Sequence, residues 1–122
     1  MPDYPRRRPP EDHLPLTVPV FQILLSLSDQ DLHGYAIIQD VRQRTDGEVR
    51  LTASTLYAAL KRLLDAGLVD ELAPRARPGD DDPRRRYYHL LPAGLAVARA
   101  EAARLERAVK MARQKRLTPR RT

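Results

Sequence analysis

The feature that most constrains the fold is a helix-forming segment with a clear start and a clear end. Thr52 has the chemistry of a helix N-cap, and Gly67 stands where such a helix would stop. Between them, apolar residues recur with the spacing of a single helix face. These residues are Leu56, Leu60, Leu63 and Leu64. The opposite face carries small, polar and basic residues, namely Ala53, Ser54, Tyr57, Ala58, Lys61 and Arg62.

Two strand-like segments follow this helix and predict a β-hairpin. They span residues 68–72 and 86–91, and the linker 74–83 contains Pro78-Gly79, a turn-forming pair. Three consecutive arginines, residues 84–86, lie at the mouth of the second strand. Successive side chains of a strand point to opposite sides, so these arginines cannot all face the same ligand.

Three elements are predicted before this helix. Residues 1–13, with four prolines and three arginines, are expected to form a disordered arm. A first helix starts at Thr17 as N-cap, with Pro19 in its first turn. Its residues are apolar on nearly every side, which favours cover by more than one partner, such as a second subunit.

The apolar run from Leu16 to Leu27 follows three arginines and so resembles a secretory signal. Prolines and acids interrupt the junction, no small-residue cleavage site follows, and the run is too short to span a bilayer. A second helix opens after residues 31–34 and ends at 45–47, where Gly47 suits a left-handed turn. Residues 48–51 alternate and fit a short strand.

A last helix opens at Pro92 and carries a heptad seam. The seam residues are Leu95, Ala98, Ala102, Leu105, Val109 and Ala112. A helix with so thin a stripe is marginal in water, which favours pairing with a second copy. The alternative is a single solvated helix packed on its own domain. Residues 118–122 are expected to form a disordered tail.

Composition restricts the classes of function. The chain has 122 residues and a net charge of +6, a balance that attracts nucleic acid first and anionic membranes second, although a merely soluble basic protein remains open. The absence of cysteine excludes disulfides, thiolate catalysis and cysteine-ligated zinc, and it fits a cytoplasmic location.

Catalysis and metal binding find no support in the sequence. His13, His33 and His89 lack the spacing of metal ligands, and no glycine-rich phosphate loop occurs. We therefore expect no enzyme activity, no cofactor and no metal. The basic C-terminal helix lacks the bulky apolar face needed for membrane insertion. Adjacent acids at 80–82 either keep the linker solvated or fold back on the arginines.

An ordered set of short motifs resembles the PadR-type transcriptional regulators across roughly residues 14–113. The motifs are Leu32–Tyr35, Gly47–Leu51, Ser54–Leu63, Gly67–Val69, Arg84–Tyr88 and Pro92–Gly94. The resemblance implies a winged helix-turn-helix domain, a homodimer joined largely through the C-terminal helix, and a repressor that is often relieved by a small ligand. The single last helix is similar to the short subgroup of the family.

Two positions depart from the family pattern. Leu91 stands where a threonine usually precedes the proline of the last helix, which removes a helix N-cap. The chain also has no tryptophan, on which some relatives stack flat aromatic ligands. Sensing of that kind is therefore not expected here.

The predicted fold is mainly α with a small β-hairpin, organised in two parts. Residues 14–91 form the winged helix-turn-helix domain, and residues 92–117 form the dimerisation helix. The dimer interface is predicted to contain the seam residues together with Phe21. Double-stranded DNA, a second copy of the chain and a small-molecule effector are the expected partners, and a membrane is not.

The third helix is predicted to enter the major groove by its N-terminal half. Ser54, Thr55 and Tyr57 are then expected to contact bases or flanking phosphates, and Lys61 a phosphate. Arg84 and Arg85 are expected at the minor groove or its phosphates, and Arg86 beside a carboxylate.

The family resemblance implies a phosphate contact for Tyr35. The alternative for Tyr35 and Tyr57 is packing as half-buried aromatics. The predicted function is a dimeric repressor that binds an inverted repeat, and the alternative is a winged-helix module that binds proteins and not DNA.

Overall fold

The computed structural model describes residues 8–74 and 85–119. Four α-helices form most of the domain: α1 Val18–Leu27, α2 Gly34–Arg44, α3 Ala53–Asp65 and α4 Pro92–Gln114. Three short strands accompany them: β1 Leu32–His33, β2 Val69–Leu72 and β3 Tyr87–Leu90. The predicted fold class, mainly helical with a small sheet, is confirmed.

Side chains cap three of the four helices. Thr17 Oγ1 accepts a hydrogen bond from the Val20 amide at 3.3 Å, and Thr52 Oγ1 accepts one from the Thr55 amide at 3.2 Å. Both caps were predicted, because a cap depends only on neighbouring residues. His33 caps α2 through Nδ1, which accepts from the amide three residues on, and this cap was missed. Leu91 provides no side-chain cap for α4, in agreement with the sequence.

The sheet has three strands in the order β1-β3-β2, all antiparallel, where the sequence predicted a two-stranded hairpin. β3 pairs with β2 in the register Val69↔Leu90 and with β1 in the register Leu32↔Tyr88. The predicted strands 68–72 and 86–91 are slightly too long. β1 was missed because two residues give no alternation to detect.

One apolar core joins the helices and the sheet. Ile23 and Leu24 of α1, Ile37 of α2, Leu56 of α3 and Val97 of α4 are all buried in it. α1 packs against α2, α3 and α4 of its own chain. Three helices of the same chain therefore cover the buried side of α1, whereas Val20, Phe21 and Leu25 are only half-buried. Cover of that remaining side by a second subunit stays a prediction.

Two local predictions are wrong. Residues 48–51 form no strand, because Thr45 Oγ1 bonds to the amide of Val49 and holds the segment in a turn after Gly47, whose φ is +80°. The predicted disordered arm is ordered in its last part, where Pro10–His13 form a 3₁₀ helix that packs against α4. The first seven residues and the last three lie outside the described residues.

α4 is a single helix that extends well beyond the core. Its buried residues, Gly94, Val97, Ala98 and Glu101, all lie in its first half. Within the described ranges, no helix is both long enough and apolar enough to cross a membrane.

Candidate nucleic-acid interface

The outer face of α3 is exposed to solvent, whereas most of its inner face is buried. Leu56, Leu60 and Leu63 contact the core. The exposed residues of the helix are Ala53, Ser54, Thr55, Tyr57, Ala58, Lys61, Arg62 and Asp65. The two faces are those that the sequence pattern predicts. The residues of the outer face in the N-terminal half of α3 are therefore accessible to a large ligand.

The first turn of α3 holds a cluster of three hydroxyl groups. Thr52 Oγ1 lies 3.3 Å from Ser54 Oγ and donates to Thr55 Oγ1 at 3.0 Å. The hydroxyl of Thr55 is thus partly used by the cap, whereas Ser54 lies on the same side of the helix as Tyr57 and Lys61. Because the N-terminal end of a helix carries partial positive charge, this turn favours anionic groups.

An open groove of about 300 Å³ lies beside α3, between the start of α2 and the start of β3. Its lining residues are His33, Gly34, Tyr35, Tyr57, Arg85, Arg86 and Tyr88. Three of the predicted site residues, Tyr35, Tyr57 and Arg85, therefore meet in one place although they come from three different elements.

Both groove tyrosines on the helices point largely into solvent. Tyr35 is 59% exposed and Tyr57 is 52% exposed, so neither is a core aromatic. A Cβ atom at Gly34 would lie 2.6 Å from Tyr57 Oη. Glycine at this position is what allows the Tyr57 ring to lie against the start of α2 and form the groove wall.

The two described arginines that precede β3 have different partners. Arg85 Nη1 lies 3.4 Å from His33 Nε2, inside the groove. Arg86 Nη1 lies 3.4 Å from Glu71 Oε1 on the neighbouring strand, which confirms the expectation that Arg86 pairs with a carboxylate. Arg84 and the acids at 80–82 lie outside the described residues.

Tyr88 forms the buried side of the groove. Only 5% of it is exposed. Burial raises the pKa of the Tyr88 phenol, and the nearby Glu71 carboxylate raises that pKa further. Tyr88 is therefore a neutral group that supports the groove wall and adds no charge to it.

Lys61 forms an exposed ion pair with Asp65 one turn further along α3. Its Nζ lies 3.3 Å from Asp65 Oδ2. Exposed pairs of this kind contribute little to stability. The ammonium group is accordingly free to exchange this carboxylate for another anion.

Sequence reasoning missed three contributors to the groove: His33, Gly34 and Tyr88. His33 combines two roles, since Nδ1 caps α2 and its ring stacks edge-on against Tyr87 with centroids 5.4 Å apart. The turn-forming residues 31–34 were a usable signal for a cap at this point. That residues 32–33 lie beside Arg85 is visible only in the structure, where β1 pairs with β3.

The predicted dimer-interface residues do not form one cluster within a single chain. Ala98 is buried against the domain, and Phe21, Leu95 and Ala112 are half-buried. Leu105 and Val109 are 38% and 40% exposed. Ala102 is also exposed. The apolar stripe thus begins in the core and continues, uncovered, along the second half of α4.

Titratable side chains in the described ranges form no group of three or more that would hold a metal ion. The polar groups of the candidate interface are hydroxyls, phenols, an imidazole, the guanidinium groups of Arg85 and Arg86, and the ammonium group of Lys61. Such groups bind anions and hydrogen-bonding edges.

Comparison with known proteins finds solved structures with a similar fold. A crystal structure of a PadR family transcription regulator from Clostridium difficile is similar, with a TM-score of 0.69 and 26% identity over 80% of this chain and 97% of that chain. A transcriptional regulator from Clostridium thermocellum gives a TM-score of 0.67 and 26% identity over 79% of this chain and 87% of that one.

Curated sequences and family models agree with the structural likeness. An uncharacterized protein of Lysinibacillus sphaericus is 32% identical over 76 residues, which is 61% of this chain and 65% of the length of that relative. The model of the transcriptional regulator PadR-like family matches residues 23–100, which include α2, α3, all three strands and the second half of α1. The family and both of these solved structures are described as transcriptional regulators. The chain belongs to the PadR-like family of transcriptional regulators.

Proposed function

We propose that the chain is a dimeric, sequence-specific DNA-binding repressor whose α3 enters the major groove of an inverted-repeat operator. Ser54 and Tyr57 contact base edges or flanking phosphates from the N-terminal half of α3, with Thr55 beside them. Lys61 and Tyr35 contact phosphates, and Arg84 and Arg85 contact the minor groove or its phosphates. Release by a small ligand bound between subunits, near Phe21 or Met111, belongs to the same proposal.

One observation carries the DNA-binding part. Tyr35 from α2, Tyr57 from α3 and Arg85 from the start of β3 line a single groove beside the exposed hydroxyl turn of α3. Hydrogen-bond donors beside an exposed helix fit a duplex, because a row of phosphates flanks the groove that the helix would occupy. The net charge of +6 favours the approach of a polyanion.

The dimer is supported by the uncovered stripe of α4. Leu105 and Val109 are apolar and exposed in one chain, and they continue a stripe that is buried nearer the core. A helix that is apolar on one face requires a partner for that face. Two chains related by a twofold axis present two α3 helices, which is why an inverted repeat is the expected target.

Gel retardation on the DNA upstream of the chain's own gene tests the proposal. At low salt the dimer should retard this DNA, and competitor DNA of unrelated sequence should not abolish the shift. A folded dimer that retards no DNA at low salt would contradict the proposal and favour the alternative, a winged-helix module that binds other proteins.

Salt dependence separates phosphate contacts from base contacts. Lys61→Ala should weaken binding to all sequences alike and should reduce the slope of log K against log salt by about 0.9 for each phosphate that the variant no longer neutralises. Arg107→Ala is the matched control, since Arg107 is an exposed cation on α4, on the side opposite the seam and away from α3. An unchanged slope for Lys61→Ala would remove Lys61 from the interface.

A further inference from the structure

A buried carboxylate lies on the inner face of α4, outside the candidate interface. Glu101 is 1% exposed, and its helix neighbours Val97 and Ala98 are core residues. Burying a charged carboxylate is costly unless the charge is paired and hydrogen-bonded. The sequence alone gives no reason for an acid here, so its partners indicate what it does.

Both carboxylate oxygens of Glu101 have a partner. Oε2 accepts the Leu16 amide at 2.7 Å, across 85 residues of sequence. Oε1 accepts from Arg104 Nε, one turn further along α4. Arg104 holds the pKa of the Glu101 carboxyl below its usual value although burial raises it, and the Leu16 amide lowers it further. Glu101 is therefore ionised at neutral pH.

The hydrogen bond to Leu16 fastens the N-terminal segment to α4. Leu16 directly precedes Thr17, the N-cap of α1. Leu14 and Leu16 pack against the core, and the 3₁₀ helix Pro10–His13 lies on α4. Glu101 thus joins the start of α1 to the middle of α4. Because a hydrogen bond is directional, it restricts the relative position of the two helices more than an apolar contact would.

Glu101 is also the last buried residue of α4 before the helix leaves the domain. The remaining residues, 102–114, form a lever roughly 20 Å long at 1.5 Å per residue. A tilt of about 10° at its base would move the far end by about 3 Å over this length. Small changes at Glu101 are consequently amplified along the helix.

We propose that Glu101 is a positioning residue that fixes the direction in which α4 leaves the domain, and thereby the spacing of the two α3 helices in a dimer. The spacing part rests on the proposed function above. Glu101 itself contacts no DNA. It acts through α4, so its loss changes which half-site separation is accepted and leaves each half-site contact intact.

Distance measurements by electron spin resonance test the fixed direction without DNA. The chain has no cysteine, so Gln39→Cys on α2 and Gln114→Cys at the end of α4 give two unique labels. Labelled chains are diluted with unlabelled ones to isolate the distance within one subunit. The wild-type distribution should be narrow, and it should broaden in Glu101→Gln and further in Glu101→Ala.

Glu106→Gln is the matched control, because Glu106 is an exposed acid of the same helix and the substitution removes the same charge. It should leave the distribution narrow. A folded Glu101→Ala chain with the wild-type distribution would overturn the proposal. If Glu101→Ala does not fold, an unchanged distribution in Glu101→Gln overturns it.

The DNA arm uses a series of inverted repeats that differ only in half-site separation. Wild type should prefer one separation sharply, and Glu101→Gln should lose about tenfold in affinity there while binding a single half-site as before, since avidity depends on geometry. Equal separation profiles for both proteins would overturn the spacing role. Failure of the wild type to bind any DNA would refute the proposed function, and the spin-label result would still decide whether Glu101 positions α4.

Discussion

α3 and α4 each carry one apolar stripe, and that of α3 packs against the core along its whole length within one chain, with only Leu64 half-buried. Leu56, Leu60 and Leu63 are all buried. In α4, Ala98 is buried whereas Leu105 and Val109 remain exposed. α3 is therefore structurally complete in one subunit, so its polar face is free to bind a ligand. The second half of α4 is incomplete, so its role requires a partner.

Truncation of the covered stripe should have the largest effect on stability. Leu60→Ala is expected to lower the free energy of unfolding by about 2–5 kcal/mol, through reduced burial and the cavity left behind. Denaturant titration measures it. Leu117→Ala, at a residue 78% exposed, is the control and should stay within about 0.5 kcal/mol of wild type. Equal losses at the two positions would contradict the core described for α3.

Charged substitutions in the exposed part of the α4 stripe should weaken dimerisation and leave the fold of each subunit unchanged. Leu105→Glu with Val109→Glu is expected to weaken the dimer by about a hundredfold or more, because two apolar anchors of an interface are removed. Sedimentation equilibrium measures the dissociation constant. Ala103→Glu with Gln114→Glu adds the same charge on the opposite side of α4 and serves as the control. A dimer that tolerates the first pair would show that α4 is not the interface.

Removal of the N-cap of α3 should have a smaller effect on stability than the core substitution. Thr52→Ala removes the hydroxyl that accepts from the Thr55 amide and should cost about 1 kcal/mol. Ser54→Ala removes an exposed hydroxyl of the same turn that does not cap the helix, and thermal unfolding should scarcely change. Similar shifts in melting temperature for the two variants would argue that the cap contributes no stability.

The effect of Glu101 ionisation on the free energy of unfolding should be smaller than that of the N-cap. Because its folded pKa lies below the ordinary glutamate value of 4.5, its contribution to stability is present above that pH and is lost as pH falls through the folded pKa. Wild type should therefore lose more stability on acidification than Glu101→Gln, as measured by denaturant titration at each pH. Glu106→Gln should follow the wild-type curve. Parallel curves for wild type and Glu101→Gln would indicate that the buried pair is not ionised.

Local chemistry explains which parts of the fold were predictable from the sequence. Thr17, Thr52 and Gly47 act within their own turns, so the helix ends they define could be predicted from neighbouring residues. β1 depends on pairing with Tyr87 and Tyr88, more than fifty residues later in the chain. Glu101 has the sequence context of a surface acid, and only its distant hydrogen bond to Leu16 explains its burial.

In the candidate site, too, some residues could be predicted from local motifs and others only from distant contacts. Tyr35, Tyr57 and Arg85 were predicted from their residue types and motifs, and the structure places them around one groove. Gly34 was missed because its role is to leave room for the Tyr57 ring, which no local pattern reveals. The role of each residue toward DNA stays a prediction, as does the dimer seam of α4.

A hydroxyl-radical footprint on the upstream DNA decides whether two α3 helices bind one duplex in register. Two protected segments centred about 10 base pairs apart, or a multiple of that, on an inverted repeat are expected, because α3 helices related by a twofold axis meet successive turns of the major groove. A single protected segment, or protection without symmetry at saturating protein, would contradict this binding mode.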